Sequence, residues 1–398
     1  MDNLIEICYR KSIELLEKNS TPSGFLAATP RGRATTTLLH YDWIFGRDAS
    51  ICVLGAVASR EKKLIQTAKY SLLTLASRQS QHGQIPNAVS EKKKKQEFYF
   101  MNVADSTLWW LIALDFYHRY SDDKKLFEFL EPKIKKALRW LNYQTAGLTN
   151  LITQAPASDW ADLMPRAGHT LYTNTLWYLV QKLYRLQGAE MTAAGLNVIF
   201  YPFSRLRRTE KKFLAKNFLY ARLRQDIRKK EEATVYYLNA VSAFTADSRC
   251  DVYGNILALL ADLPTERLSV KIIQYLSKTL VEFPYSAPVL LPPIYKKDKD
   301  WHEVMERRSM NQPWHYHNGG IWPYIGGFLV IALARAGKKK IACAELLKVA
   351  RANSLNEWQF NEWLDGRTGK PSGLSGQSWN AATFILAYQY LKGKNEIF

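Results

Sequence analysis

Apolar residues recur every three to four positions through almost the whole chain, the spacing that lays one apolar stripe along a helix. Leu4, Ile5, Cys8, Ile13, Leu15 and Leu16 form one such stripe, and Leu64, Ala68, Leu72, Leu73 and Leu75 form another. The same period predicts helices near 47–59, 103–119, 122–145, 170–187, 208–229, 253–262, 266–281, 319–336, 339–352 and 378–391. That makes about a dozen helices of ordinary globular length. Alternating residues are few. Residues 236–244 form a candidate short strand, and 284–293, with four prolines, reads as an extended loop. Ser121, Asp122 and Asp123 make an N-cap cluster, while Gly188 and Gly337 stand where C-cap glycines are expected.

No Pro/Gly/Ser linker and no low-complexity tract divides the 398 residues, so 1–398 is expected to be one all-α domain. A helical chain of this size forms either an open solenoid or a closed toroid of helix pairs. No short repeat period is visible, which favours the toroid. A hydrophobic content of 47% is enough for a large core. The four cysteines form no C-x-x-C pair. Cys8, Cys52 and Cys343 fall in apolar helical patterns and are expected to be buried free thiols, in keeping with a reducing cytoplasm. The N-terminal helix carries Asp2, Glu6, Arg10 and Lys11 and lacks the apolar run of a signal peptide. The most apolar stretch, 319–334, is short and broken by Pro323, so a cytoplasmic protein with no membrane partner is expected.

The formal charge is +19, with basic runs at 92–95, 205–230, 296–299 and 338–340. Such runs suit an anionic polymer, but they are dispersed and accompany no nucleic-acid motif. A solvated basic surface is the simpler reading, with 188–245 as a basic, insert-like stretch. The chemistry lies elsewhere, in five segments that combine rings and polar groups: YDWIFGRD (41–48), ADSTLWW (104–110), SDWADLMPR (158–166), HNGGIWPY (317–324) and NEWLDGRTG (361–369). Twelve Trp and 22 Tyr are many for this length. Rings stack on the apolar faces of sugars, and their polar edges suit wet clefts. Most of the segments fall where a loop meets a helix, so in a toroid they would converge at one end. Two of them offer carboxylate pairs beside an indole, Asp159 and Asp162 with Trp160, and Glu362 and Asp365 with Trp363. Glycoside hydrolysis needs two carboxyl groups across the scissile bond, one protonated and one ionised. An indole packed on a carboxyl favours the protonated form. His315 and His317 lack a clustered third ligand, so no metal is expected. No phosphate-cradling glycine motif is present, so no cofactor is expected either.

Taken in order, the five segments resemble glycoside hydrolase family 100, the alkaline/neutral invertases. They are also similar to the C-terminal, amylo-alpha-1,6-glucosidase-like domain of glycogen-debranching enzymes. In that wider group HGQIPN (82–87) and DVYGN (251–255) also have counterparts. The resemblance implies an (α/α)6 barrel, which agrees with the helix count. It also implies an inverting hydrolase acting on an α-glucosidic bond, in sucrose or in a small α-glucan or other α-glucoside. The general acid falls on Asp162, with Asp159 as the competing choice, and the general base on Glu362. Single-step inversion implies a carboxyl separation of roughly 6.5–9.5 Å. Tyr41, Asp42, Arg47, Asp48, Asp105, Trp109 and Trp160 fall on expected substrate-binding positions, with Arg166, His317, Asn318, Trp322, Gln377 and Trp379. Of the adjacent Trp109 and Trp110, one must face the core. Two rival readings are a non-catalytic carbohydrate-binding barrel, which needs only the rings, and a helical nucleic-acid-binding protein using 205–230.

Overall fold

A computed structural model describes residues 2–30, 43–90, 92–98, 103–230, 232–242 and 245–393. Six helices with almost no exposed face form an inner ring. They are α2 (Gly46–Ser59), α4 (Asp105–Tyr120), α6 (Leu171–Leu183), α10 (Val252–Leu260), α12 (Pro323–Arg335) and α14 (Ser378–Leu391). Each packs on the next in this order, and α14 closes the ring on α2. Six amphipathic helices surround them: α1 (Asn3–Lys18), α3 (Lys62–Ser77), α5 (Lys125–Tyr143), α7 (Ala189–Ile199), α11 (Glu266–Thr279) and α13 (Lys339–Trp358). Outer and inner helices alternate along the chain. This is the (α/α)6 barrel that the motif resemblance implies.

The inner helices owe their position to composition. α2 buries every residue except Arg47, and α12 buries all but its last two. Polar side chains in the inner ring gather in the first turn, as at Arg47 and Asp48, Asp105 to Thr107, and Ser378 to Asn380. The apolar remainder fills the barrel axis, so the polar groups are delivered to one end. Glycine permits the closest approaches. A Cβ on Gly55 would lie 2.2 Å from the Ala382 carbonyl oxygen, and one on Gly327 would lie 2.6 Å from that of Thr383.

Short ladders pin the chain just before most inner helices. Ile44–Phe45 pairs with Ala88–Ser90, which pairs in turn with Lys95–Glu97, ahead of α2. His169–Thr170, Leu238–Val241, Ala246–Asp251 and Leu290–Leu291 form one antiparallel sheet, which feeds α6 and α10. Ile321 pairs with Leu364 ahead of α12, and Ala28 with Gln377 ahead of α14. The expected strand over 236–244 is found as Leu238–Val241; Phe244 lies outside the described residues. The loop over 284–293 contributes the strand Leu290–Leu291.

Three sequence expectations need correction. Gly188 does not end a helix; at φ +98° it opens α7, an apolar segment too short to show a period of its own. The helix over 208–229 is two, α8 (Arg208–Lys216) and α9 (Phe218–Lys230), parted at Asn217. There the Asn217 carboxamide donates to the Phe213 and Leu148 carbonyls. Cys343 is exposed, because α13 buries Ala342, Glu345, Leu346 and Val349 on the face beside it, whereas Cys250 is buried. Gly337 does follow α12 at φ +74°, and the Lys338 N–H reaches the Leu333 carbonyl as a C-cap requires. Substituting Gly55→Val should lower unfolding free energy by about 1–3 kcal/mol, because the helix pair that closes the ring cannot part without opening it. Chemical denaturation measures this; an unchanged midpoint would show that α2 and α14 do not meet backbone to backbone.

Candidate active site

Arg47, in the first turn of α2, points across the ring. Its guanidinium lies 3.0 Å from Asp105 of α4 and 3.4 Å from Asp48. All three are largely enclosed. Burial alone would weaken the Arg47 charge, but Asp105, Asp48 and Asp162 together raise its pKa well above the ordinary value. Asp48 and Asp105 are each raised, by burial first, with Arg47 opposing. The Arg47 guanidinium also lies 5.6 Å from the centre of the Trp379 ring.

The two acids of SDWADLMPR have opposite surroundings. Asp159 accepts from Arg166 at 2.9 Å, from the Gln154 amide at 2.8 Å and from the Ala161 N–H at 2.9 Å. Arg166 continues to Asp251, the N-cap of α10, at 3.1 Å, and to Asn239 at 3.0 Å. Asp159, Arg166 and Asp251 therefore form a buried, fully engaged staple between the 158–166 loop and the strand that leads into α10. Asp162 accepts no hydrogen bond on its carboxyl from the described residues. It keeps an exposed surface, yet protein closes around the carboxyl. That loss of bulk water, opposed by Arg47 and reinforced by Asp105, Asp159 and Asp48, pushes it up to about 7. Its backbone carbonyl is held by Asn311 Nδ2 at 3.2 Å and lies 3.3 Å from His317 Nδ1.

The acids of NEWLDGRTG divide in the same way. Asp365 Oδ1 accepts from the N–H groups of Arg367 and Thr368 and from the Thr368 hydroxyl, and Oδ2 lies 2.9 Å from His315 Nε2. Burial raises its pKa, but these donors prevail and hold it below the ordinary value. It shapes the turn. Glu362 is buried, and its Oε2 accepts from the Leu374 N–H at 2.9 Å, while its own N–H goes to the Leu374 carbonyl. Gly373 makes this clamp possible, since a Cβ there would lie 2.3 Å from Oε2. Asp162 and Glu362 act on one group, the Tyr316 hydroxyl. It is raised well above its ordinary value by burial, then by Asp162 and then by Glu362.

Aromatic rings pave the space between these groups. Trp160 stands edge-on to His317, Trp322, Tyr253 and Tyr324, with centroids 4.8–5.9 Å apart. His317 stacks on Trp322 at 4.7 Å, and Tyr324 on Trp379 at 4.2 Å. Burial lowers the pKa of His317 well below the usual histidine range, so the ring is neutral; its Nδ1–H faces the Asp162 carbonyl. His317 Nε2 and the indole N–H groups of Trp160 and Trp379 are buried and meet no partner among the described residues. Buried polar groups nearly always find one.

Other expected residues lie behind this surface. Tyr41 and Asp42 fall outside the described residues. Trp109 is sealed in the ring and donates to the Tyr172 hydroxyl at 2.8 Å, while Trp110 faces outward to the Leu72 carbonyl, so both are core. Asn318 was expected to meet hydroxyls, but its amide is engaged by the main chain of Ile294 and Asn311. The Gln377 amide donates to the Leu374 carbonyl. Tyr316, Tyr324, Tyr253, Tyr172 and Asp251 had no role assigned from sequence. Tyr324, Tyr253 and Asp251 stand within the motifs HNGGIWPY and DVYGN, so position in a motif was a usable signal. Tyr316, at φ 45°, had none.

A toroid of six helix pairs, with acids and rings at the N-terminal end of its inner ring, is an architecture of glycoside hydrolases. Solved structures confirm the fold. The chain superposes on an uncharacterized conserved protein from Thermus thermophilus with a TM-score of 0.63 at 14% identity, covering 95% of this chain and 99% of that one. It superposes on the GH63 mannosylglycerate hydrolase of the same organism, in complex with glucose, with a TM-score of 0.59 at 16% identity, covering 95% and 98%. The family resemblance is met at the level of sequence: residues 223–393 match the family model described as alkaline and neutral invertase. Probable alkaline/neutral invertase D of Arabidopsis thaliana is 28% identical over 165 residues, 41% of this chain and 30% of that protein. Cytosolic invertase 1 of Oryza sativa subsp. japonica is 26% identical over the same length, 41% and 29%. The matched stretch thus spans less than a third of either relative, and the family match includes Glu362 but not Asp162. Replacing Arg166 with Met should cost about 3–5 kcal/mol of stability, because Asp159 and Asp251 would be left buried without a cation. A urea titration reads this, and a loss below about 1 kcal/mol would show that the staple is not a buried ion triad.

Proposed function

We propose that the chain is an inverting glycoside hydrolase that cleaves an α-glucosidic bond in sucrose, a small α-glucan or another α-glucoside. The reading is supported by the pairing of Asp162, its pKa pushed up to about 7, with the main-chain-clamped Glu362, both of which raise the pKa of the Tyr316 hydroxyl. In this reading Asp162 gives its proton to the leaving oxygen as the bond from that oxygen to the anomeric carbon breaks. Glu362 takes a proton from the water that attacks the same carbon from the opposite face, so the new hydroxyl carries inverted configuration. Asp159 is unsuited to the acid role, since Arg166, the Gln154 amide and the Ala161 N–H already engage its carboxyl. Arg47, Asp48 and Asp105 grip hydroxyls of the cleaved sugar. Trp160, Trp322 and Trp379 supply its apolar floor, with His317 Nε2 as an acceptor.

The invertase match supports sucrose, and the glucose held by a protein of the same fold supports a glucosyl unit. A cytoplasmic location is part of the proposal. Among the described residues no helix is long and apolar enough to cross a membrane, and the similar invertases are named as both cytosolic and chloroplastic.

Asp162→Asn and Glu362→Gln should each lower turnover by roughly 10²–10⁴-fold with the helical circular-dichroism spectrum retained. Activity within about tenfold of the parent in both would remove the assignment. The acid must be protonated to work, so kcat should fall about tenfold per pH unit above about pH 7. A profile still rising through about pH 8 would contradict Asp162 as the acid. Proton NMR of the first product from an α-glucoside should show β-glucose, and initial α-glucose would exclude inversion.

A further inference from the structure

The helical hairpin α8–α9 lies outside the twelve helices of the two rings and belongs to no step described above. It is also the most charged part of the chain. Residues 205–230 contain eleven Lys and Arg against two acids, a net +9 of the whole chain's +19. One of the two acids, Glu210, is buried and bonded to Arg207 in a capping box, which removes it from the surface. Arg205, Arg208, Lys211, Lys212, Lys216, Arg222 and Lys229 are exposed, and none shares an ion pair with an acid among the described residues. Burial and then the neighbouring Arg228 lower the pKa of Arg224, a sign of cations crowded together.

The turn of this hairpin is apolar. Phe218 is 75% exposed and Leu219 is 43% exposed, at the start of α9. Leu148, 68% exposed, joins them, since Asn217 donates to its carbonyl at 3.3 Å. Large apolar side chains held out in water within a cationic frame are unfavourable unless another phase takes them up. The hairpin is firmly seated beneath this tip. The Phe213 ring fits against Gly195 of α7, where a Cβ would lie 2.9 Å away. The Tyr220 hydroxyl lies 2.7 Å from His169 Nε2, and Arg224 donates to the Ser204 carbonyl at 2.6 Å.

We propose that α8–α9 is a peripheral docking surface for an anionic lipid bilayer, with the Phe218–Leu219–Leu148 tip entering the headgroup boundary and the surrounding Lys and Arg side chains meeting lipid phosphates and carboxylates. A protruding aliphatic and aromatic tip within a cationic field is the composition of interfacial binding. A single-stranded nucleic-acid site would instead line a groove with several stacking rings, and two of the three tip residues are leucines. The chain meets the bilayer through α8 and α9, which belong to neither ring. This revises the expectation of a merely solvated basic face and of no membrane partner.

Co-sedimentation of the full chain with vesicles tests the proposal. Phosphatidylcholine vesicles containing phosphatidylserine should bind the protein at low salt, and phosphatidylcholine alone should not. Reversing Lys211, Lys212 and Lys216 to Glu should weaken binding at least ~tenfold. Phe218→Ser, which leaves the charge unchanged, should weaken it several-fold. Both variants change exposed residues, and an unaltered melting temperature confirms that they fold. No binding to the anionic vesicles overturns the proposal. So does binding unaffected by Phe218→Ser, or retention on single-stranded DNA lost with the charge reversal in a protein that ignores vesicles.

Discussion

Two arginines face five aspartates at the end of the inner ring, and the site depends on that shortage of positive charge. Arg166 is committed to Asp159 and Asp251, and Arg47 to Asp105 and Asp48. Asp162 is left over. It lies near enough to Arg47 to feel it, but it also feels three other carboxylates and has lost bulk water. Clustered carboxyl groups cannot all ionise without sufficient compensation, so a proton is retained, and it rests where the compensation is poorest. The raised pKa of Asp162 comes from that imbalance rather than from any hydrogen bond its carboxyl accepts among the described residues.

The architecture creates the shortage and keeps it from relaxing. Inner helices that bury nearly every side chain can carry polar groups only at their ends, and the short ladders fix where each end begins. Glycines 55 and 327 let α14 approach α2 and α12 closely, and Arg47 of α2 lies 5.6 Å from the ring centre of Trp379 in α14. Helix N-termini favour anions by about 0.3–1 kcal/mol each. That field favours Asp48, Asp105 and Asp251, which stand at the starts of α2, α4 and α10, but not Asp162, which lies in a loop.

The helical period and the five motifs, most of them where a loop meets a helix, were legible along the chain, and so was the expectation that they converge. Which acid in each motif stays available was not. Asp159 and Asp162 are three residues apart and both close to Trp160 in sequence. They are told apart by Arg166, Gln154 and Asp251, which assemble only when the sheet over 169–291 forms. The same holds for Glu362 and Asp365, which differ in the turn made by Thr368 and the cradle left by Gly373. Asn318 and Gln377 looked like ligand residues because amides serve ligands and loops equally well, and only the fold decides which. Helix α7 and the break at Asn217 were hidden because an apolar segment of three turns and a single carboxamide leave no periodic signature.

Retention of a proton on Asp162 near neutrality, by enclosure among carboxylates, can be measured without any substrate. A carbon-13 NMR titration of the aspartate carboxyls, repeated on Asp162→Asn, assigns the group by difference. The expected result is one resonance in the parent with its midpoint at about pH 7 that vanishes in the variant. Carboxyls that all titrate below about pH 5, with none lost near neutrality on substitution, would contradict it.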